Sequence, residues 1–279
     1  MVIETDLYSM YGGALANYML PIIHLTMLRD DVRLSTGTAF ALRHRDTSFI
    51  VTALHNITGR NHYTGKPLSK TAGIPNRVVL KGAMSGRPAK PTLDGNLSLE
   101  EDALFGYYDK QKWGDLLALP MLGLQWAEGS CLNDNRQKNW SVYPGVDVFC
   151  AGYPGGISTS GAPILKKGSL ASMPGFRVQE EDCFLIDMPT YYGLSGGPIM
   201  IVKDGGLADD GDGVFNKVHI VGGGIRHRVI GVYGGRYLDD TGSGTLGYGW
   251  PLFRQARSFL EDAYEYIAEK VGDGSIKQA

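Results

Sequence analysis

Three cysteines in 279 residues, at 131, 150 and 183, are too few and too unevenly spaced for a disulfide framework. They form no Cys-x-x-Cys pair and no Cys/His cluster at ligand spacing, so no zinc site is indicated and the thiols read as free, buried side chains. Long apolar runs are also missing: none reaches the ~18 residues of a spanning helix. The opening stretch, MVIETDLYSMYGGALANYMLP, carries Glu4 and Asp6 where a secretion signal needs positive charge, and it lacks a clean apolar core. The expectation is a cytoplasmic protein with no membrane partner. Charge of one sign is lacking too. The 27 Lys and Arg against 29 Asp and Glu leave a net −2, with no basic stripe interleaved with aromatics, so no nucleic-acid partner is expected. The stretches GGISTSGAP and GGGIRHR match neither GxxxxGK[ST] nor a GxGxxG between strand and helix, which sets nucleotide binding aside.

Glycine, by contrast, is abundant: 39 of them, with 13 prolines, scattered between short runs rich in Val, Ile, Tyr and Phe. That pattern favours many strands joined by tight turns. LPIIHLTML and TGTAFAL read as strands around the charged turn RDDVRLS, and SFIVTAL as a third, buried strand. NRVVLKGAM, ALFGYYD and DLLALPM continue the series. QWAEGSCLNDNRQKNW, polar and without apolar periodicity, reads as a connection between two halves. The second half repeats the style in DVFCAGYP, GSLASM, CFLIDMP, GPIMIVK, VHIVGGGI, VIGVYGG and LGYGW. Near the end the period changes. Leu252, Ala256, Phe259, Leu260, Ala263, Ile267 and Val271 recur at helical spacing, with Pro251 at an expected first turn and Gly272 at the stop. The expected helix packs this stripe on the second half. The divisions implied are an N-terminal segment (1–19), a first barrel (20–125), a connection (126–142), a second barrel (143–250) and a C-terminal helix and tail (251–279). Strand pattern alone does not choose between two barrels and a sandwich.

Three motifs carry chemistry. In VTALHNITG, His55 follows an apolar strand, where a rigidly held imidazole at a cleft edge suits a general base. The other histidines, at 24, 44, 62, 219 and 227, have no comparable context and read as structural. In WGDLLALPM, Asp115 heads an apolar run and is placed to accept the second ring N–H of His55, fixing its tautomer. Asp102, in EDALFGYY, is its rival. In GLSGGP, Ser195 lies on a tight glycine turn. Gly193 permits a backbone that aims its own N–H, beside that of Ser195, at a developing oxyanion. Gly196 and Gly197 allow close approach without Cβ clashes, and Pro198 leads into the strand IMIV.

His, Asp and Ser follow in this order at separations of 60 and 80 residues. With GTAF…IVTALH, DLLALP and GLSGGP in sequence, the chain resembles the trypsin/chymotrypsin-like serine peptidases over roughly residues 20–255. FCAGYPGG…ILKKGSLAS looks like the strand, loop and strand of the second barrel in bacterial intracellular-type members. VIGVYGGRY and LGYGW look like the strands flanking the substrate. The resemblance implies an all-β fold of two six-stranded antiparallel barrels with a C-terminal α-helix. It implies a serine endopeptidase acting on a protein or peptide through an acyl-enzyme, with no cofactor and no metal. Ser195 would be the nucleophile, His55 the general acid and base, Asp115 its orienter, and the N–H groups of Gly193 and Ser195 the oxyanion hole.

Three departures from that family qualify the expectation. Asn56 stands where secreted members often carry a cysteine, in keeping with a reducing compartment. Leu194 replaces the aspartate that pairs with a freed N-terminus in members activated by cleavage, so clipping is not expected to be needed. Pro189 replaces the aspartate of enzymes that cleave after Lys or Arg, which disfavours a basic substrate residue. Thr190, Gly234, Gly235 and Arg236 complete the expected pocket or its rim. Arg236 reads as a solvated surface arginine, with selection of an acidic residue as the alternative. A catalytically silent or partner-gated fold, binding a peptide or a regulatory protein through the same cleft, is the competing reading.

Overall fold

The segment IIHLTMLR forms β1 (Ile22–Arg29), in which Ile23, Leu25 and Met27 alternate inward, the period-two signature of a strand with one buried face. A two-residue turn at Asp30 and Asp31 reverses the chain, with Asp30 at φ 55° and its N–H donated to Asn76 Oδ1 at 2.8 Å. The charged stretch expected to be a turn is therefore mostly strand: β2 runs over Val32–His44. Its outer end is exposed, whereas residues 38–42 are buried on both faces, because there the strand enters the junction between the two halves.

This is a computed structural model, describing residues 19, 21–69, 71–83, 92–99, 106–121, 131–133, 141–159, 161–203, 226–238, 244–253 and 255–272. The first half continues with β3 (Thr47–Ala53), the short helix α1 (Leu54–Thr58), β4 (Arg77–Ala83), β5 (Thr92–Ser98), α2 (Lys110–Trp113) and β6 (Leu116–Pro120). These strands form one antiparallel sheet in the order β5-β4-β1-β2-β3-β6. The second half holds β7 (Asp147–Gly152), β8 (Ile164–Leu170), β9 (Phe184–Asp187), β10 (Pro198–Lys203), β11 (Arg226–Arg236) and β12 (Gly247–Pro251). They close into a barrel, β10-β11-β12-β9-β8-β7, with β10 pairing β7.

The all-β double six-stranded antiparallel architecture with a C-terminal helix is thus present; among the described residues only the second ring closes through its ladder. Two strand readings change. Among its described residues ALFGYYD contributes a bridge from Tyr107 to Ala118, and β5, too polar to read as a strand, pairs along β4. VHIVGGGI and Asp102 lie outside the described residues, as do all but five residues of the connection.

The C-terminal helix α3 spans Ala256–Gly272 and buries Phe259, Leu260, Ala263 and Ile267, the expected stripe. Two corrections apply. Pro251 ends β12 instead of opening the helix. The helix also returns to the first half rather than resting on the second. Phe259 packs against Trp113 and Tyr107 at ring separations of 5.5 and 6.1 Å. Asp262 accepts hydrogen bonds from Trp113 Nε1 at 2.9 Å and Tyr107 Oη at 3.1 Å, and it pairs with Lys112 at 2.6 Å. Glu261 pairs with His44 and Arg45. An apolar stripe shows which face of a helix is buried, and the polar residues beside it find the partners that decide against what. Among the described residues no helix is long and apolar enough to cross a membrane.

Candidate active site

The chain leaves β3 at Ala53 and turns at once into α1, so His55 lies in a helical first turn just past the strand. Buried Leu54 and Ile57 anchor the turn, and Gly59, at φ 64°, closes it by donating its N–H to His55 O. The helix has no side-chain cap of its own. Asp115, at the head of β6, supplies the missing acceptor. Its Oδ1 accepts the His55 backbone N–H at 3.0 Å, its Oδ2 pairs with His55 Nδ1, and its carbonyl accepts the Leu54 N–H at 2.8 Å. The carboxylate is 1% exposed. Gly114, at φ 63°, allows the approach to β6, and a Cβ there would run into the Trp250 ring.

Burial alone pulls the His55 pKa down, but the charge of Asp115 and its hydrogen bond overcome this and hold it above the ordinary 6.5. With Nδ1 engaged, Nε2 is the ring atom left to exchange a proton. One neighbour carries no sequence signal. His62, expected to be structural, brings Nδ1 to 4.0 Å from Asp115 Oδ1, and its ring stands edge-on to Trp250 and Tyr63. Burial lowers its pKa, so it remains neutral beside the pair. No motif surrounds His62, which is why its place was not legible.

Ser195 sits on the loop before β10. Gly193 and Gly196 adopt φ of 90° and 84°, and a Cβ on them would collide with Tyr153 O and Thr38 O respectively. Leu194 is 0% exposed, packed into the core of the second barrel with Cys150, Ile199 and Tyr233. The loop is tied to the first half at three points. Thr38 N–H and Asn56 Nδ2 both donate to Ser195 O, at 2.8 and 2.7 Å, and Thr38 Oγ1 donates to Gly193 O at 2.6 Å. Asn56 adjoins His55, so one side chain couples the histidine's turn to the serine's carbonyl. Thr52 Oγ1 completes the set by donating to Thr38 O at 2.7 Å and accepting from Asn56 Nδ2 at 3.0 Å.

The same ties orient the backbone donors. Gly155 N–H binds Tyr192 O at 2.6 Å. In a trans peptide the C=O and the following N–H point in opposite directions, so the Gly193 N–H is turned away from Gly155. Neither this N–H nor that of Ser195 donates to an acceptor among the described residues. Both remain available to an anionic oxygen. Ser195 Oγ itself donates to Gly234 O at 3.4 Å, and no hydrogen bond joins it to His55.

Of the expected pocket residues, Gly234 touches Ser195. Gly234 is buried and supplies the carbonyl just named. Gly235, at φ 150°, marks an irregularity where β11 pairs with β12. Arg236 is exposed yet not free-swinging, because its Nε donates to Thr190 Oγ1 at 3.0 Å. Pro189 O accepts from Lys166 Nζ at 2.6 Å, a contact that no motif foretold. A separate cavity of ≈ 270 Å³ lies behind Asp115, lined by His62, Trp113, Gly114, Leu116, Phe176 and Trp250 among others, and does not include Ser195. The three cysteines are buried and form no disulfide, and burial pushes the Cys150 thiol up to about 12. Among the described residues no three His, Cys, Asp or Glu side chains gather to hold a metal ion.

No protein family and no curated protein matches the chain. Solved structures do. It is similar to the serine endoprotease of Yersinia pestis, with 13% identity and a TM-score of 0.47, over 99% of this chain and 68% of the other. It is also similar to the catalytically active tobacco etch virus protease complexed with product, with 11% identity and a TM-score of 0.47, over 89% of this chain and 81% of the other. Both likenesses are distant, and the reading of the chemistry rests on the side chains described above.

Proposed function

We propose that this chain is a serine endopeptidase in which Ser195 is the nucleophile, His55 the general base and acid, and Asp115 the group that orients and charges the histidine. The observation that carries this reading is the double grip of one buried carboxylate on His55, opposite a serine loop with two unengaged backbone N–H groups. Ser195 Oγ attacks the peptide carbonyl as its proton passes to His55 Nε2. The carbonyl oxygen, now anionic, is held by the N–H groups of Gly193 and Ser195. His55 returns the proton to the leaving amine, the C–N bond breaks and an acyl-enzyme remains. Water, deprotonated by His55, then attacks the ester and releases the acid while Oγ regains its proton. The Oγ contact to Gly234 must give way for this, as commonly happens when substrate arrives at an unliganded site. Buried thiols outside any disulfide suit a reducing compartment, and we place the activity in the cytoplasm.

A fluorophosphonate probe tests the proposal. Labelling at Ser195, lost in Ser195→Ala, is the expected result; absence of labelling under all conditions rejects it in favour of a binding module. The partner-gated alternative draws on the Ser195–Gly234 contact and predicts labelling only when the partner is added.

A further inference from the structure

The rim beside Ser195 carries two cations without carboxylate partners. Arg236 and Lys166 both contact the segment Pro189–Tyr191, and neither forms an ion pair among the described residues. Both are held in place. Arg236 Nε binds Thr190 Oγ1 at 3.0 Å, which leaves the terminal guanidinium nitrogens as donors and the Thr190 hydroxyl proton free to donate. Lys166 Nζ donates to Pro189 O at 2.6 Å and lies 4.1 Å from the centroid of the Tyr191 ring, which leaves it further N–H donors. Gly193, Gly234 and Gly235 contribute no side chains between Ser195 and this rim, so an entering side chain meets Thr190 and Arg236 first.

We infer that Thr190, Arg236 and Lys166 receive the side chain of the substrate residue whose carbonyl is attacked, and that this residue is acidic, Glu or Asp. The inference rests on the peptidase reading above and names its substrate class. A carboxylate matches the set because the Thr190 hydroxyl, the Arg236 guanidinium and the Lys166 ammonium all retain donors, and guanidinium and ammonium bonds to an anion are stronger than those to a neutral amide. A basic side chain would meet two like charges.

Peptides differing only at the residue before the scissile bond give the test through kcat/KM. Glu or Asp is expected to exceed Gln by about 10- to 100-fold, the difference between one charge-assisted hydrogen bond and a neutral one. Arg236→Gln and Lys166→Gln are each expected to shrink the Glu-to-Gln ratio, chiefly through KM, and Arg236→Glu to turn the preference toward Lys. Equal cleavage of Glu and Gln peptides, dominant cleavage after a basic or large apolar residue, or a ratio untouched by both neutral variants overturns the inference. Calorimetric binding of the same peptides to Ser195→Ala reads the preference without turnover: tighter binding of Glu than of Gln supports the inference, and equal binding overturns it. Fluorophosphonate labelling of the wild type keeps the two readings apart. A labelled Ser195 with no acidic preference defeats only the specificity, whereas an unlabelled Ser195 that still prefers acidic peptides in binding defeats only the peptidase.

Discussion

At Asp115 a single carboxylate serves two donors of one residue, the backbone and the ring of His55. Asp115→Asn keeps the shape but offers an N–H where an acceptor is needed, so Ser195 acylation should fall about 10⁴-fold. The pH profile separates this from misfolding. If His55 is the base proposed, acylation in the wild type should rise with pH through a midpoint above 6.5, because the imidazole must be neutral to act and Asp115 holds its pKa up. In Asp115→Asn only the lowering effect of burial remains, so the midpoint should drop; an unchanged midpoint in rapid-mixing acylation would contradict the assignment. The same shift has a sign for stability. A pKa raised by folding contributes stability that is complete below about 6.5 and lost as pH climbs through the folded value. The pair therefore stabilises the protein least where His55 is a competent base. Thr38 is the second residue whose effect can be isolated. Thr38→Val removes the bond to Gly193 O, and with it the acceptor of the Tyr153 N–H at 3.2 Å, without changing shape. The cost in stability should be about 1–3 kcal/mol for each buried group left unpaired. The rate of acylation should fall by up to about 10²–10³, the range for losing one oxyanion donor. Denaturant melts and labelling kinetics on the same sample measure both.

Among the elements, the turn between α2 and β6 controls where Asp115 stands. Gly114 combines a positive φ with contact on the Trp250 ring, so Gly114→Ala destabilises twice, once through backbone strain of about 1–2 kcal/mol and again through overlap. Loss of thermal stability together with slower Ser195 labelling is the expected outcome, with stability loss alone arguing that Asp115 is held by other means. Helix α3 supports this turn from outside. Phe259 rests on Trp113, one residue before Gly114, and Asp262 binds the indole of that tryptophan. Phe259→Ala should cost about 3–5 kcal/mol in denaturant unfolding, as for other buried aromatics cut back to Ala. The slope against denaturant should stay unchanged if only the native packing is affected.

Over the whole molecule, one apolar cluster joins the halves. Ile22, Phe40 and Phe49 of the first sheet share it with Ala151, Val229 and Trp250 of the barrel and with Phe259 and Leu260 of α3. The site lies on that seam, with His55 and Asp115 on one side and Ser195 on the other, bonded across by Thr38 and Asn56. Two halves that share a core and a hydrogen-bond network should unfold together. Tryptophan fluorescence and far-ultraviolet circular dichroism should therefore report coincident transitions, and two separated ones would show that the seam is weaker than its packing implies.

How much of this was legible varied with the range of the interactions. The order of strands, the apolar stripe of α3 and the serine turn are written in local periodicity and in glycines that need positive φ, so the sequence by itself determined them. The pairing of His55 with Asp115 could be named because strand ends present side chains to a cleft. Other contacts join residues far apart in the chain with no local pattern: Thr38 to Gly193, Asn56 to Ser195, His62 to Asp115, Lys166 to Pro189 and α3 to the first half. Leu194 shows the division most clearly. The sequence says that an ion pair is absent before the serine; only the fold supplies what stands in its place, a buried leucine and hydrogen bonds from Thr38, Asn56 and Gly155. Periodicity records which face a segment buries. Which partner covers that face depends on closing loops of many tens of residues, and only the tertiary structure decides it.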